Sequence, residues 1–449
     1  MSILERLGLN RPELRAWAMY DWANSAVITT IVAAVFPIYF ASVAAADLAE
    51  RDATFLFSII TTIGLLIVAV AAPVLGAVAD FTAGRKRLLG WFMALGVASV
   101  AGMTLIQRGD VALASVLFIL ANVGVTGSFV FYDSLLPHVA RPDEVDRVST
   151  SGYALGYLGG GILLALNLAW ITVPGAFGLP SGPDITPEQA TLPARLAFLS
   201  VAVWWLVFSI PLFRRVPEPP RTIGAGERDR KRPVRAAFQQ LRETFRELKE
   251  YRQALVMLVA FLIYNDGIGT IIRIATVYGT EIGIDQNTMI LAILIVQFVG
   301  IPFSFLFGSV AGWIGPKPAI LAGLIVYGGI TILGYYMTTG THFLILAGLV
   351  GIVQGGTQAL SRSLFASMIP LHKSGEFFGF FAVFEKFAGI LGPLTFSVAI
   401  ALTGSSRLSI LSLILFFIAG AMILWTVDVE EGRRVARLAD SAHGVAGQA

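Results

Sequence analysis

The chain has 449 residues, of which 56% are hydrophobic and only 14% are charged, and its mean hydropathy is +0.76. Soluble proteins carry about a quarter charged residues, so this composition excludes an ordinary soluble domain and indicates a membrane protein. With no cysteine, four histidines and a net charge of +3, we expect no disulfide, no metal site, no cofactor and no nucleic-acid partner.

Twelve apolar segments are long enough to cross about 30 Å of hydrocarbon as helices. They are residues 17–42, 54–79, 88–107, 111–132, 149–172, 194–213, 252–278, 287–310, 317–338, 342–369, 377–403 and 407–427. We number them as spans 1 to 12. They predict an all-α membrane protein with twelve transmembrane helices.

The basic residues lie mainly on one side of these spans. Of the Lys and Arg residues, 25 lie on the side of the two termini, 4 lie on the other side and 3 lie inside spans. Cytoplasmic loops of membrane proteins carry the excess of basic residues. We therefore predict that both termini are cytoplasmic.

Residues 214–251 separate the first six spans from the last six. This stretch begins with the basic, Pro/Gly-rich sequence "RRVPEPPRTIGAGERDRKRP", and after Pro233 apolar residues recur at helical spacing. Two interpretations remain open: an amphipathic helix on the inner leaflet, or a solvated tether. The predicted domains are an N-terminal bundle (1–213), a cytoplasmic linker (214–251), a C-terminal bundle (252–428) and a cytoplasmic tail (429–449).

The two halves repeat several short motifs. Tyr20-Asp21 in span 1 resembles Tyr264-Asn265-Asp266 in span 7, at an offset of 244 residues. "GAVAD" at 76–80 and "GSVAG" at 308–312 are 232 residues apart, and the prolines of two further motifs are 233 apart. A nearly constant offset predicts two pseudo-symmetric six-helix bundles, the architecture of many secondary transporters.

Charged and amide residues in the spans indicate a central cavity. A charge at mid-bilayer costs about 2.5–3.5 kcal/mol, so such residues usually face a cavity. Spans 3, 6, 9 and 12 carry no charge in their interiors, whereas spans 1, 7, 10 and 11 do and Asp133 directly follows span 4. The candidate solute-binding residues are Asp21, Asn24, Asn265, Asp266, Arg273, Gln354, Gln358 and Arg362. Carboxylates, guanidinium groups and amides together suit a zwitterionic or polar solute.

Some of these residues have alternative interpretations. Asp21 is close enough to the inner interface to be a helix-end carboxylate, and Arg362 is as well placed for gating as for solute contact. Glu385 is the candidate for a protonatable coupling residue, with Asp266 as a second one. Glu385 could equally form a helix-packing ion pair.

The segment "GAVADFTAGRKR", residues 76–87, resembles the loop between spans 2 and 3 of the major facilitator superfamily. In that superfamily its acidic and basic residues hold the cytoplasmic side closed. The resemblance implies gating roles for Gly76, Asp80, Arg85 and Lys86, and we assign Asp133 of span 4 to the same group. The pattern departs from the superfamily at Phe81, where a basic residue is expected.

Four longer stretches carry a more specific resemblance. "YDWANSAVITTIVAAVFPIYF", "FLIYNDGIGTI", "QGGTQALSRSLFASMIP" and "FFGFFAVFEKFAGILGPL" resemble the vacuole-effluxer branch of this superfamily, which includes the yeast autophagy-related amino acid permease. The resemblance implies the major facilitator fold and alternating access. In fungi it implies release of amino acids such as leucine from the vacuole.

The leading hypothesis is a monomeric secondary active transporter of small polar metabolites, foremost amino acids. We expect it in a bacterial inner membrane, with protons as the candidate coupling ion and the solute and membrane lipids as its partners. A major facilitator exporter of drugs, peptides or lysolipids is the alternative within the class. A transport-inactive sensor or scaffold is a second class, and it would tolerate neutralisation of Asp266. An enzyme is not expected, because the sequence contains no nucleophile elbow and no phosphate-binding loop.

Overall fold

The structure is a computed structural model, and it describes residues 3–48, 50–82, 84–219, 250–284, 286–387, 391–403 and 406–442. Helices and short connections make up these ranges, and no strand occurs within them. The helices of seven or more residues are α1 (Pro12–Ala44), α2 (Glu50–Thr82), α3 (Arg85–Gly102), α4 (Val111–Val139), α5 (Val145–Thr172), α6 (Pro187–Arg215), α7 (Arg252–Glu281), α8 (Gln286–Ile314), α9 (Pro316–Tyr335), α10 (Gly340–Ala366), α11 (Ser374–Phe387), α12 (Leu391–Thr403), α13 (Ser406–Ser412), α14 (Ile414–Trp425) and α15 (Val429–Ala442).

Within the described ranges, ten helical segments are long and apolar enough to cross a membrane: α1, the helices α3 to α10, and the stretch formed by α13 and α14. Helices α1 to α10 follow predicted spans 1 to 10 in order, α11 and α12 flank the centre of span 11, and α13 and α14 cover span 12. The predicted all-α membrane fold is confirmed. The helices extend beyond several predicted spans, as α4 does to Val139, because a helix continues past the hydrocarbon layer that hydropathy detects.

The linker and the tail are the two segments outside the bundles that the sequence predicts to be cytoplasmic. The amphipathic helix proposed for the linker falls on residues 220–249, which lie outside the described residues. The predicted tail begins with α15, which packs against the C-terminal bundle. The Asp440 carboxylate accepts a hydrogen bond from the Leu371 backbone N–H at 3.1 Å and contacts His372 Nδ1 at 2.9 Å.

Helix α1 changes its hydrogen-bonding pattern along its length. Its first part is α-helical to Ala26, and the residues Val27–Val35 and Phe40–Ala44 form π-helical turns. Wide turns of this kind are rare and are frequent at functional sites. The polar start of α1 therefore has a different helical register from its apolar end.

Two lysines at equivalent positions support the predicted pseudo-symmetry. At the start of α3, Lys86 Nζ donates to the carbonyl oxygens of Phe213 at 3.0 Å and Val216 at 2.5 Å. At the start of α9, Lys317 Nζ donates to the carbonyl oxygens of Trp425 at 2.7 Å and Val427 at 2.8 Å. Each ammonium group thus satisfies carbonyls that the end of a helix leaves unpaired.

Helices from the two halves pack closely through glycine. Gly76 of α2 lies against the backbone of Gly375 at the start of α11, and Gly308 of α8 lies against Thr150 of α5. A Cβ at Gly76 would overlap the Gly375 carbonyl, so only glycine allows this separation of the helices. Both contacts lie toward the end of the molecule where α1 begins, which we call the termini face.

Candidate functional site

The side chain of Arg362 lies between the two halves of the molecule, near the end of α10 at the termini face. It is 3% exposed, and its guanidinium donates from Nη1 to Asp133 Oδ1 at 3.0 Å and from Nη2 to Asp21 Oδ2 at 3.4 Å. Nε donates to Ser149 Oγ at 3.0 Å, and Nη2 donates to the Ser149 carbonyl at 3.1 Å. One guanidinium from the second half therefore binds α1, α4 and α5 of the first half.

Three aromatic rings complete its surroundings. The guanidinium carbon lies 4.9 Å from the ring centre of Trp17, 5.7 Å from that of Tyr132 and 4.6 Å from that of Tyr153. At these distances the rings attract a cation. We call the set formed by Asp21, Asp133, Ser149, Trp17, Tyr132 and Tyr153 the Arg362 cage.

Hydrogen bonds and ring stacking also connect residues of the Arg362 cage to one another. The Tyr132 hydroxyl donates to Asp21 Oδ2 at 2.7 Å, and Trp17 Nε1 donates to the Tyr132 carbonyl at 3.1 Å. The Trp17 and Tyr132 rings stack with their centres 4.5 Å apart. These contacts join α1 to α4 without any contribution from Arg362.

A stripe of glycines on α5 allows α1 to approach closely enough to form the cage. Gly152, Gly156 and Gly160 recur every four residues along α5 and face α1. A Cβ at Gly152 would lie 2.5 Å from Asp21 Oδ2 and 3.3 Å from Arg362 Nη2. The spacing of these glycines therefore creates the room for the buried ion pairs.

The charges in the cage are not balanced. Two carboxylates face one guanidinium, so the ionised cluster carries one excess negative charge. Glu385 of α11, which is partly buried, interacts electrostatically with Asp133 from the other half. An excess of buried negative charge favours occupation by cations, because an uncompensated buried charge is costly.

The remaining candidate solute ligands lie elsewhere. Asp266 is fully buried on α7, where its Oδ2 accepts a hydrogen bond from the Gly392 backbone N–H of α12 at 2.9 Å. Gln358 Nε2 donates to Asn265 Oδ1 at 3.3 Å, which joins α10 to α7. These contacts are made within the second half of the chain.

Asp266 and Arg362 contact different helices in this structure, and a solute cavity shared by the two residues stays a prediction. Arg362 contacts helices of the first half, and Asp266 contacts α12 of the second half. The spacing of residues along each helix does not reveal these partners.

Four other predicted site residues lie on α1, α2, α7 and α10. Asn24 is fully buried, and among the described residues its amide group has no hydrogen-bond partner. Gln354 is partly buried on α10. Arg273 lies on α7 and Asp80 lies on α2, but their side chains are outside what the structure describes.

The predicted gating residues are divided between two environments. Gly76 lies at the contact between the halves, and Arg85 is 1% exposed at the start of α3. Lys86 binds the end of α6 within the first half, so its observed contacts do not cross the interface. Asp133 joins Asp21 around Arg362. Gating remains a prediction for all five residues.

Sequence reasoning did not assign Trp17, Tyr132, Tyr153 or Ser149 to the site. The sequence does contain one indication of this site. The dipeptide Tyr-Asp occurs in both α1 and α4, at Tyr20-Asp21 and Tyr132-Asp133. Tyr132 from one pair binds Asp21 from the other. In this chain the repeated dipeptide therefore marks the polar site that α1 and α4 share.

Further polar contacts link the halves at the termini face. His138 Nε2 lies 2.9 Å from Ser374 Oγ, joining α4 to the start of α11. Ser363 Oγ donates to Asp146 Oδ1 at 2.5 Å, and Ser149 Oγ donates to the Ala359 carbonyl at 2.7 Å. Together with the cage, they hold the two halves together at this face.

Comparison with known proteins agrees with this architecture. Residues 9–437 match the model of the family described as vacuole effluxer Atg22 like. The chain is 34% identical over 425 residues to YxiO of Bacillus subtilis (strain 168), described as an uncharacterized MFS-type transporter, and the alignment covers 94% of this chain and 96% of that protein. It is 24% identical to autophagy-related protein 22 of Saccharomyces cerevisiae (strain ATCC 204508 / S288c), over 78% of this chain and 73% of that protein.

Solved structures of major facilitator transporters share the fold. The proton:xylose symporter XylE, bound to 6-bromo-6-deoxy-D-glucose, has a TM-score of 0.68 at 16% identity, covering 96% of this chain and 98% of that one. FucP in the outward conformation has a TM-score of 0.66 at 12% identity, covering 94% and 99%. The chain therefore belongs to the vacuole effluxer Atg22-like family of the major facilitator superfamily, and it is a multi-pass membrane transporter of a small solute, not an enzyme.

Proposed function

We propose that the protein is a secondary active transporter of small polar metabolites, foremost amino acids, and that it works by alternating access. The observation that carries this proposal is the binding of Arg362, from the second half, by Asp21 and Asp133 of the first half. A cavity between two halves opens alternately when one half rocks against the other. Opening at the termini face would separate these three charges.

The excess of basic residues in the loops on the side of the termini supports a cytoplasmic termini face. In this orientation, the contacts around Arg362 close the cytoplasmic side, and the solute enters from the opposite side.

The relative from Bacillus subtilis is bacterial, and we propose the inner membrane as the location. We propose a monomer as the working unit.

Amino acids are the favoured solutes because the candidate residues pair carboxylates with a guanidinium and amides. A zwitterion carries both charges and can be bound by such a set. Neutralising a carboxylate at the site should therefore weaken binding of the ammonium group more than binding of an apolar side chain.

Protons are the proposed coupling ion. When Arg362 leaves, Asp21 and Asp133 lose the cation that they share, and a partly desolvated carboxylate then favours protonation. Glu385 lies within electrostatic range of Asp133, and it is the proposed coupling residue, with Asp266 as the second candidate.

The test is counterflow and uptake in proteoliposomes with a mixed panel of amino acids, with and without a pH gradient. We expect flux for the wild type, stimulation by the gradient, and at least tenfold less flux for Asp21→Asn and Asp266→Asn. Glu385→Gln should transport without responding to the gradient. Absence of flux for every amino acid would contradict the proposed substrate class, and full flux in Asp266→Asn would contradict the role of this residue.

A further inference from the structure

We propose that the Arg362 cage is the binding site for a cationic nitrogen group of the solute, and that Arg362 occupies it in place of the solute when the termini face is closed. The proposal rests on the proposed function, because it requires the two halves to separate. It names the class of solute: molecules that carry a guanidinium or alkylammonium group.

All six cage residues belong to the first half, and Arg362 belongs to the second. Movement of the second half would remove the guanidinium and leave the cage behind. The cage residues would keep their positions, because the hydrogen bonds from Tyr132 to Asp21 and from Trp17 to Tyr132 do not involve Arg362. The stacked rings of Trp17 and Tyr132 hold the same geometry.

The vacated cage would offer acceptors and ring faces and few donors. Asp21, Asp133 and both oxygen atoms of Ser149 accept the four hydrogen bonds of Arg362. The rings of Trp17 and Tyr153 lie within 5 Å of the guanidinium carbon. A planar or tetrahedral cation satisfies these groups, whereas a carboxylate would be repelled and a neutral amide would leave the two charges uncompensated.

Occupation of the cage by the solute and by Arg362 is mutually exclusive. The space that holds the guanidinium is closely bounded, since even a Cβ at Gly152 would lie 3.3 Å from Arg362 Nη2. Return of Arg362 would therefore expel the bound cation. This competition couples release of the solute to closure of the termini face.

The experiment measures binding of two small probes to purified protein by calorimetry and thermal shift. Ethylguanidinium carries the cation, and ethylurea is its neutral counterpart of similar shape. In Arg362→Ala, whose cage is vacant, ethylguanidinium should bind at least tenfold more tightly than ethylurea. Adding Asp133→Asn to this variant should reduce ethylguanidinium binding at least tenfold. Equal binding of the two probes, or no effect of Asp133→Asn, would overturn the proposal.

A second variant keeps Arg362 and every residue of the Arg362 cage. It replaces Arg362→Ala in the experiment if Arg362→Ala does not fold. Gly76→Leu places a side chain against the backbone of Gly375, so it should hold the termini face open and vacate the cage. Gly329→Leu is the matched control, because nothing lies within 4 Å of a Cβ at Gly329. We expect Gly76→Leu to bind ethylguanidinium at least fivefold more tightly than the wild type and Gly329→Leu. Affinity equal to the control would contradict the proposal.

These results separate the two proposals. Counterflow of neutral amino acids, with no preference for the cationic probe in the variants, would overturn the cation site and leave the transport function intact. Selective binding of ethylguanidinium in both variants, with no amino acid flux in the wild type, would support the site and overturn amino acids as the solutes.

Discussion

Arg362 and Asp133 are 229 residues apart in the chain, on different halves of the molecule, and the Arg362 guanidinium donates a hydrogen bond to the Asp133 carboxylate at 3.0 Å. Both side chains are buried, at 3% and 12% exposure. In the proposed alternating-access mechanism, this buried ion pair breaks and re-forms in every transport cycle. This relationship connects the fold to the mechanism proposed for it.

Removal of Arg362 should destabilise the closed state. Arg362→Ala leaves two buried carboxylates without their cation, and breaking a buried pair in this way costs about 3–5 kcal/mol. Thermal unfolding in detergent should show a melting temperature several degrees below that of the wild type.

Neutralising a carboxylate as well should recover part of this loss. The double variant Arg362→Ala/Asp133→Asn removes one of the two uncompensated charges, so its melting temperature should lie between those of the single Arg362 variant and the wild type. Additive destabilisation by the two substitutions would show that the charges do not interact.

A methyl group at Gly152 should disturb the cage directly. In Gly152→Ala the new Cβ would lie 2.5 Å from Asp21 Oδ2, so the carboxylate would have to move away from Tyr132 and Arg362. We expect counterflow to fall at least tenfold. Gly348→Ala on α10 is the matched control, since nothing lies within 4 Å of a Cβ there, and it should transport normally. Equal rates in the two variants would exclude a tight fit at Gly152.

The two equivalent lysines should contribute similarly to stability. Lys86→Ala and Lys317→Ala each remove two hydrogen bonds from an ammonium group to helix-end carbonyls. Hydrogen bonds to charged groups contribute about 1.5–3 kcal/mol each, so both variants should unfold at a lower temperature. The neighbouring exposed Arg87 supplies the control, Arg87→Ala, which should melt as the wild type does. A loss confined to one lysine would argue against equivalent roles.

Hydropathy was sufficient to predict most of the fold. Each helix from α1 to α10 coincides with a predicted span, because uninterrupted apolar sequence of this length has few stable alternatives in a bilayer. The short motifs that repeat between the halves also identified the contact positions Gly76 and Gly308. Both glycines belong to the motifs that appeared in the two halves at an offset of 232 residues.

The partners of the polar residues could not be predicted in the same way. Helical spacing indicates which residues share a face, but it does not indicate which helix that face meets. Asp266 meets the backbone N–H of Gly392, a group that every residue except proline carries, so no sequence signal marks it. The ring of Trp17 packs on the Arg362 guanidinium, and the position of Trp17 on α1 gives no indication of this partner from the other half.

The most direct measurement uses the absence of cysteine from the chain. Thr150 Cβ lies 3.1 Å from the position of a Cβ at Gly308, across the two halves at the termini face. Disulfides join Cβ atoms about 3.5–4.5 Å apart, so a slight outward shift of the two helices allows the bond. In proteoliposomes containing Thr150→Cys/Gly308→Cys, oxidation should abolish counterflow, and reduction should restore it. Each single cysteine variant, treated with the same oxidant, is the control and should retain its flux. Full counterflow with the cross-link formed would contradict separation of the halves at this face.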